Sequence, residues 1–389
     1  MILRFDRLQP ALAAMLCVLG VMTVFSAGAD WVRQVLWVAL GAAAYVAATL
    51  YDYRRLRGLA PSLYVVMLVA LLAVHLVGHT ALGARRWLSV AGFPLEPSEL
   101  SKLLLVIVLA AYLSRDERIT WRAFVGALGL VAAPAALVLM QPDLGTTMVL
   151  LAVSLGMLFL AGARPAQLGA VVTAGVVAVP LLPHILHGYQ RRRLEIFLDP
   201  TQDPLGAGYN LLQARIAVGS GGLFGRGWLH GLQGQLGFVP ERATDFVFAT
   251  FAEEFGLLGS LVLLTVFGVL LLRLLRPAGV ASDRFGELLA AGVFGVVLVQ
   301  VVQNVGMNIG LLPIAGIPLP LISYGGSATI TTLAALGLAQ SVIVRRRTVV
   351  FQEGPVRLRP ASHHLPPGAS RRLPMDGEDS RTIRRRAQA

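Results

Sequence analysis

Four acidic side chains lie close together in the stretch FVPERATDFVFATFAEEFG, residues 238–256. They are Glu241, Asp245, Glu253 and Glu254. Ionised carboxylates are costly inside a bilayer, so acids beside an apolar run predict either paired structural groups or groups that do chemistry. Thr244 has the side chain of a helix N-cap, which would place Asp245 in a first helical turn as a helix-dipole residue. We expect Glu253 and Glu254 to pair with backbone donors or with an arginine.

The chain contains one lysine, Lys102, in the apolar stretch EPSELSKLLLVIVLAAYL. Glu99 precedes it by three residues on the same helical face, so an ion pair is one interpretation. Arg85 and Arg86 lie in the connection just before this helix, so an anion-binding site is the other. A charged residue within a span is by default a functional candidate. The residue types alone leave both interpretations open.

Amide side chains form a second polar pattern. Gln300, Asn304 and Asn308 recur every four residues and so share one side of a helix, where we predict hydrogen bonds to neighbouring helices. Gln213 in GYNLLQARIAVGSGG and Ser323 in PLPLISYGGSA are further polar points. The sequence has no P-loop and no His/Cys set with zinc spacing, which argues against ATP- or zinc-driven chemistry.

The elements that position these residues are membrane spans. The 389 residues are 56% hydrophobic and 14% charged, with a mean hydropathy of +0.70, against about 25% charged in soluble domains. The basic residues are 32 arginines and one lysine, a bias that we attribute to genome composition rather than nucleic-acid binding. We predict an all-α polytopic membrane protein with ten transmembrane helices: 9–28, 31–50, 60–79, 97–114, 121–140, 145–162, 167–187, 251–275, 286–311 and 324–344.

Arginines crowd the short connections on one side of these spans, so the positive-inside rule places both termini in the cytoplasm. The long Gly-rich connection 188–250, between helices 7 and 8, is then extracytoplasmic. It contains Arg191–Arg193, but the rule is weak for long connections. We predict a transmembrane domain over 1–348 and a disordered basic cytoplasmic tail over 349–389.

Asp245 has a predictable height in this arrangement. Counting 20 residues back from Arg273 puts the outer edge of the hydrocarbon near Glu253 and Glu254. Asp245 then stands roughly 13 Å further out, at or above the lipid headgroups. The carboxylate need not be buried in lipid.

Six motifs in order along the chain resemble the SEDS (shape, elongation, division and sporulation) family of peptidoglycan glycosyltransferases, from the first span to about residue 345. They are GARRWL, EPSELSK, QPDLGT, GAGYNLLQARIAVGSGGLFGRG, VPERATDFVFATFAEEFG and GIPLPLISYGGSA. GIPLP is similar to the RodA branch rather than to FtsW. The family often has Gln where Glu96 stands, and His where Ala243 stands.

The resemblance implies polymerisation of lipid II into glycan strands at the outer face of the bacterial cytoplasmic membrane, for cell elongation and shape. It also implies a class B penicillin-binding protein as the transpeptidase partner. The family's essential aspartate falls on Asp245, its motif arginine on Arg86 and its lysine on Lys102.

This chemistry suits the residues. A sugar hydroxyl attacking an anomeric carbon benefits from a carboxylate base, for which Asp245 is the candidate and Glu241 the competitor. The departing lipid pyrophosphate benefits from cations. We expect Arg86 and Lys102 to bind it, with Arg85 and Arg215 as further candidates, and Gln213, Glu241 and Ser323 to line or brace a groove that opens to lipid. The sequence identifies no cofactor, and it leaves open whether a divalent cation is required.

Two other functions stay open: a lipid II flippase, and a non-catalytic scaffold of the cell-wall synthesis complex. A flippase needs a hydrophilic path through the bilayer, yet the inner halves of most predicted spans lack ionisable residues. A scaffold would tolerate loss of Asp245.

Overall fold

The computed structural model describes residues 5–346 except 82–83, 91–92, 179–194, 198, 200–202 and 204–205. The predicted tail, the cluster Arg191–Arg193 and the end of the seventh predicted span lie outside the described residues and stay predictions.

The described part of the chain is mainly helical, with one small sheet. The helices are α1 Leu8–Ser26, α2 Trp31–Leu50, α3 Tyr53–Val77, α4 Pro97–Leu113, α5 Trp121–Met140, α6 Leu144–Leu160, α7 Pro165–Ala178, α8 Ala207–Ser220, α9 Leu232–Gln235, α10 Val247–Val280, α11 Arg284–Asn308 and α12 Gly326–Val344. The strands are β1 His79–Ala81, β2 Ala84–Val90 and β3 Phe93–Leu95.

Each of the ten predicted spans coincides with one of these helices. Seven of the described helices, α1, α2, α3, α5, α10, α11 and α12, are long and apolar enough to cross a membrane. The other three, α4, α6 and α7, have 17, 17 and 14 described residues. The polytopic helical class is therefore confirmed, while the count of ten spans stays a prediction.

Helix α3 begins seven residues before the predicted position 60. The reason is a cap: the Asp52 carboxylate accepts a hydrogen bond from the Arg54 backbone N–H at 3.0 Å, which satisfies one of the unpaired donors of the first turn. The helix therefore includes Arg54, Arg55 and Arg57, which we had predicted to lie in a connection.

The buried centre of the bundle is built by α4, α11 and α12, whereas α2 and α3 are mostly exposed. In the most apolar 18-residue stretch of each helix, 61% of the residues are buried in α11 and 78% in α12, against 22% in α3. Valine and leucine cover the exposed faces, as expected where the solvent is lipid. The central helices carry the amides and the lysine singled out above.

The connection between α3 and α4 folds into a three-stranded antiparallel sheet of order β1–β2–β3, which the sequence did not predict. His79 pairs with Trp87 and Thr80 with Arg85, so the register shifts and Arg86 is the extra residue of a bulge in β2. The sheet fixes the backbone of both arginines immediately before α4.

Candidate functional site

Asp245 lies in a turn whose backbone carbonyls are held from two directions. The Asn304 and Asn308 side-chain amides donate to the Asp245 carbonyl at 2.9 and 3.0 Å. The Ser323 hydroxyl donates to the Thr244 carbonyl at 2.6 Å, and the Tyr324 backbone N–H donates to the Ala243 carbonyl at 2.8 Å. Three consecutive carbonyls of the turn are thus fixed by α11 and by the segment before α12. We call this set of contacts the carbonyl clamp.

The two asparagines of the clamp are fully buried. The hydrogen bond to a neighbouring helix that the four-residue spacing predicted is confirmed for Asn308, whereas Asn304 binds the backbone of connecting segments. Asn308 also accepts a hydrogen bond from the Ala249 N–H at 3.0 Å, and Asn304 donates to the Ile317 carbonyl at 2.8 Å. Buried amides with satisfied partners rigidify their surroundings. The spacing predicted the helix face but not that it would hold the Asp245 turn.

The predicted N-cap at Thr244 is wrong. Helix α10 begins at Val247 with Phe246 in the cap position, and no side chain of the cap accepts a hydrogen bond. Asn308 substitutes for the missing cap, because its carbonyl oxygen accepts the Ala249 N–H from outside the helix. Asp245 therefore precedes the helix, half-buried, and does not lie in its first turn as a dipole residue.

Glu241 starts the turn and braces it. Its carbonyl accepts the N–H groups of Thr244 and Phe246, each at 3.1 Å. Its carboxylate accepts the Thr244 hydroxyl at 2.9 Å, so Thr244 binds backward along the chain instead of capping α10. Glu241 has φ +53°, a left-handed conformation that is uncommon for a residue other than glycine. The side chain is exposed, and it remains the competing carboxylate.

Glu253 and Glu254 are structural, as predicted. The Glu253 carboxylate accepts the backbone N–H groups of Gln233 and Gly234 at 2.8 and 3.0 Å. The Glu254 carboxylate accepts the Ser26 hydroxyl and the Leu229 N–H. Both side chains are buried, and the donors to Glu253 replace the water that its charge would otherwise need. Glu254 binds its two donors through one oxygen, and its Oε2 has no hydrogen-bond partner among the described residues.

The glycine-rich segment 221–227 packs into a break in α10. Gly256 has non-helical angles, φ 67° and ψ −167°, which interrupt the helical hydrogen bonds. Arg226 and Gly227 donate to the Glu253 and Glu254 carbonyls at 3.0 Å, while Leu257 and Leu258 donate to carbonyls of the segment at 2.9 and 3.1 Å. A Cβ at Gly225 would lie 2.1 Å from the Glu254 carbonyl oxygen. The glycines of this motif therefore serve close backbone packing.

Lys102 forms the ion pair that was one of its two interpretations. Its Nζ lies 2.7 Å from Glu99 Oε1, with the two side chains 2% and 4% exposed. The pair borders a narrow crevice between α4, α11 and α12, lined in part by Gln300 and Thr332. Gln300 lies one helical turn from Asn304, or about 6 Å along the axis. The buried pair and the carbonyl clamp thus share one face of α11.

The other predicted site residues lie on different elements. Arg85 and Arg86 are on β2, where the structure describes their backbone but not their side chains. Arg215 on α8 donates to the Gly310 carbonyl at 3.1 Å, and its buried Nε has no hydrogen-bond partner among the described residues. Gln213, on the same helix, is half-buried. Ser323 is buried and braces the turn through the clamp.

Helix α8 reaches the start of α10 through a small apolar cluster. The cluster comprises Leu211, Ala214, Ala217, Val239, Phe246, Ala249, Met307 and Ile314. It joins the elements that carry Arg215, Asp245 and Asn308. Among the described residues, no group of three or more His, Cys, Asp or Glu side chains could hold a metal ion.

A bundle of long apolar helices with a fixed carboxylate-bearing turn at the start of α10 defines a polytopic membrane protein with a polar site at its helix ends. The chain is 40% identical over 345 residues to the peptidoglycan glycosyltransferase MrdB of Escherichia coli, covering 86% of this chain and 93% of that protein. A solved chain from a peptidoglycan synthase complex that coordinates polymerization and crosslinking is 33% identical, with a TM-score of 0.78, covering 87% of this chain and 98% of that one.

The crystal structure of the rod shape-determining protein RodA of Thermus thermophilus is 31% identical, with a TM-score of 0.67, covering 88% of this chain and 98% of that one. The sequence model of the cell cycle proteins FtsW, RodA and SpoVE matches residues 8–348. The chain belongs to this family.

Proposed function

We propose that the protein is a peptidoglycan glycosyltransferase that polymerises lipid II into glycan strands at the outer face of the cytoplasmic membrane. Membership of the FtsW, RodA and SpoVE family and 40% identity to a peptidoglycan glycosyltransferase support this activity. The resemblance of GIPLP to RodA, together with the fold shared with a rod shape-determining protein, supports a role in cell elongation.

The observation that carries the proposal is the carbonyl clamp on the Asp245 turn. A general base must stay within hydrogen-bond distance of the proton that it removes, so the backbone that carries it must be held in a fixed position. Asn304, Asn308 and Ser323 fix that backbone with neutral side chains, and the hydrogen bonds that do so go to backbone carbonyls and not to the Asp245 carboxylate.

Asp245 abstracts the proton of the acceptor sugar's 4-hydroxyl as that oxygen attacks the anomeric carbon of the donor. The new C–O bond forms as the bond to the lipid pyrophosphate breaks, so the α-linked donor becomes a β-1,4 linkage. The leaving pyrophosphate needs no general acid, since nearby cations stabilise the charge that it takes away.

Arg86 and Lys102 are the proposed pyrophosphate ligands, with Arg85 and Arg215 as further candidates. The bulge at Arg86 supports this assignment because bulges recur beside active sites. Lys102 must exchange Glu99 for a phosphate oxygen or share its ammonium between them. An ammonium has three N–H donors, and one of them serves Glu99.

The substrate's long lipid tail requires a path from the membrane, so we propose a laterally open groove beside Asp245, lined or braced by Gln213, Glu241 and Ser323. A class B penicillin-binding protein is the proposed partner, because the similar solved chain comes from a complex that couples polymerization to crosslinking. The arginine-rich connections support cytoplasmic termini and an outer 188–250 segment.

Reconstitution of the purified protein with lipid II tests the activity. The proposal expects glycan polymer from the wild-type protein and none from an Asp245→Asn variant that is folded and membrane-inserted. Translocation of lipid II without polymer would indicate a flippase. Polymer that forms only with a partner polymerase, and equally well with Asp245→Asn, would indicate a scaffold.

A further inference from the structure

Helices α1 and α2 leave a long apolar groove between them on one side of the bundle. Helix α1 packs against α10 as well as against α2, and α2 packs mainly against α12. The groove has a volume of about 770 Å³. Its walls include Ala13, Ala14, Cys17, Val38, Ala42 and Leu333.

The groove continues into a recess of about 390 Å³ near the start of α1. The two share Phe5, Tyr45 and Val46, and the recess adds Arg7 and Thr49. One end of an otherwise apolar surface therefore carries a cation and two hydroxyls.

Tyr45 is only 8% exposed, and its hydroxyl has no hydrogen-bond partner among the described residues. The neighbouring Thr49 hydroxyl is close enough to interact with the Tyr45 hydroxyl, but its own proton already goes to the Tyr45 carbonyl at 2.8 Å. A buried hydroxyl without a partner is rare in native proteins and indicates a group that the protein chain does not supply.

The charges around this end favour an anion. Arg7 is exposed, and within the described chain no carboxylate lies within ion-pair distance of it. The adjacent Asp6 carboxylate lies 3.7 and 3.6 Å from the guanidinium groups of Arg273 and Arg276. The Asp6 charge also acts on the Tyr45 hydroxyl, but three arginines, Arg7, Arg273 and Arg276, outnumber this one carboxylate, and only Arg7 lines the recess.

We propose that this groove binds one anionic phospholipid, with an acyl chain between α1 and α2 and the phosphate held by Arg7 and the Tyr45 hydroxyl. Arg7 and Cys17 are ten residues apart, about 15 Å along a helix. That length matches one leaflet of a hydrocarbon core about 30 Å thick. With a cytoplasmic N-terminus the leaflet is the inner one, which is rich in anionic lipid.

A transmembrane helix from a partner is a poorer occupant. Its backbone groups are already paired internally, and an apolar helix surface offers no acceptor to the Tyr45 hydroxyl. A lipid phosphate supplies both an acceptor and the charge opposite to Arg7.

Photocrosslinking of the full chain in vesicles tests the proposal, with diazirine-labelled phosphatidylglycerol as the probe. We expect labelled peptides to centre on Cys17 of α1 and Ala42 of α2. Ala42→Trp should fill the groove and remove this labelling, whereas Val66→Trp on the exposed face of α3 should leave it unchanged.

Tyr45→Phe, which keeps the ring and the fold, should lower labelling roughly tenfold or more, as for loss of a hydrogen bond to a charged group.

Arg7→Gln should have a similar effect, and Arg122→Gln, another exposed arginine near a helix start, should have none. Labelling spread evenly over all lipid-facing helices would overturn the proposal. Equal labelling by phosphatidylcholine, unaffected by Tyr45→Phe, would also overturn it. So would crosslinks from the groove to a partner's transmembrane helix that exclude the lipid. None of these readouts depends on glycan polymerisation.

Discussion

The Asn304 side chain on α11 donates its amide to the Asp245 backbone carbonyl at 2.9 Å, although the two residues are 59 positions apart. The contact joins a central helix of the bundle to the turn before α10. Asn308, one helical turn further on, donates to the same carbonyl at 3.0 Å. The position of the proposed base is therefore set by the core of the bundle.

Asp245→Asn should abolish polymerisation of lipid II. Asparagine keeps the size and polarity of the side chain but cannot take the proton, and a general base contributes about 10²–10⁴-fold. The matched control is Asp30→Asn, since Asp30 is an exposed cap of α2 and asparagine caps nearly as well. Single-turnover polymer formation measures the rate of each variant. Near wild-type activity of a folded Asp245→Asn protein would end the assignment.

Asn308→Ala should lower the catalytic rate more than it changes the apparent affinity for lipid II. It removes one of two donors to the Asp245 carbonyl and one of two acceptors of the Ala249 N–H, which keeps the Phe246 carbonyl at 3.1 Å. The loss of one such hydrogen bond costs about 0.5–1.5 kcal/mol. Gln340→Leu is the control for stability alone, because Gln340 is a buried amide that donates to the Asp6 carbonyl, near the start of α1. If both variants lose activity only in proportion to the unfolded fraction, Asn308 does not position Asp245.

Lys102→Met and Glu99→Gln should each destabilise the protein, because breaking a buried ion pair costs about 3–5 kcal/mol. The double variant should recover much of that stability, since no unpaired charge then stays buried. It should still polymerise lipid II poorly if Lys102 binds pyrophosphate. A double variant with wild-type activity would restrict Lys102 to its pairing with Glu99. The measurements are thermal unfolding and polymerisation rates of the wild-type protein, the two single variants and the double variant, which together form a double-mutant cycle.

Gly225→Ala should strongly destabilise the break in α10, because the new Cβ would lie 2.1 Å from the Glu254 carbonyl oxygen. Gly222→Ala is its matched control: Gly222 also has a positive φ, +55°, but its added Cβ meets nothing within 4 Å. The control should lose only the roughly 1–2 kcal/mol of a left-handed alanine. Equal midpoints in thermal unfolding for the two variants would contradict close packing as the role of this motif.

The helical segments could be predicted from the sequence because the signal is local. A run of about 20 apolar residues must be helical in lipid, where each backbone group has to be paired within its own segment. The ordered motifs likewise identified the family, which the match over residues 8–348 confirms. The four-residue spacing of Asn304 and Asn308 predicted buried amides for the same local reason.

The tertiary structure decided which groups those side chains meet. Thr244 has the residue type of a cap, yet its hydroxyl binds Glu241, and Asn308 from another helix caps α10 instead. Lys102 was equally suited to an ion pair or an anion site, and burial beside Glu99 formed the pair. Composition and periodicity indicate the secondary structure of one segment and the face of it that is buried. Hydrogen bonds between residues 59 or more positions apart depend on how the helices pack, and that packing decided how Asp245 is held.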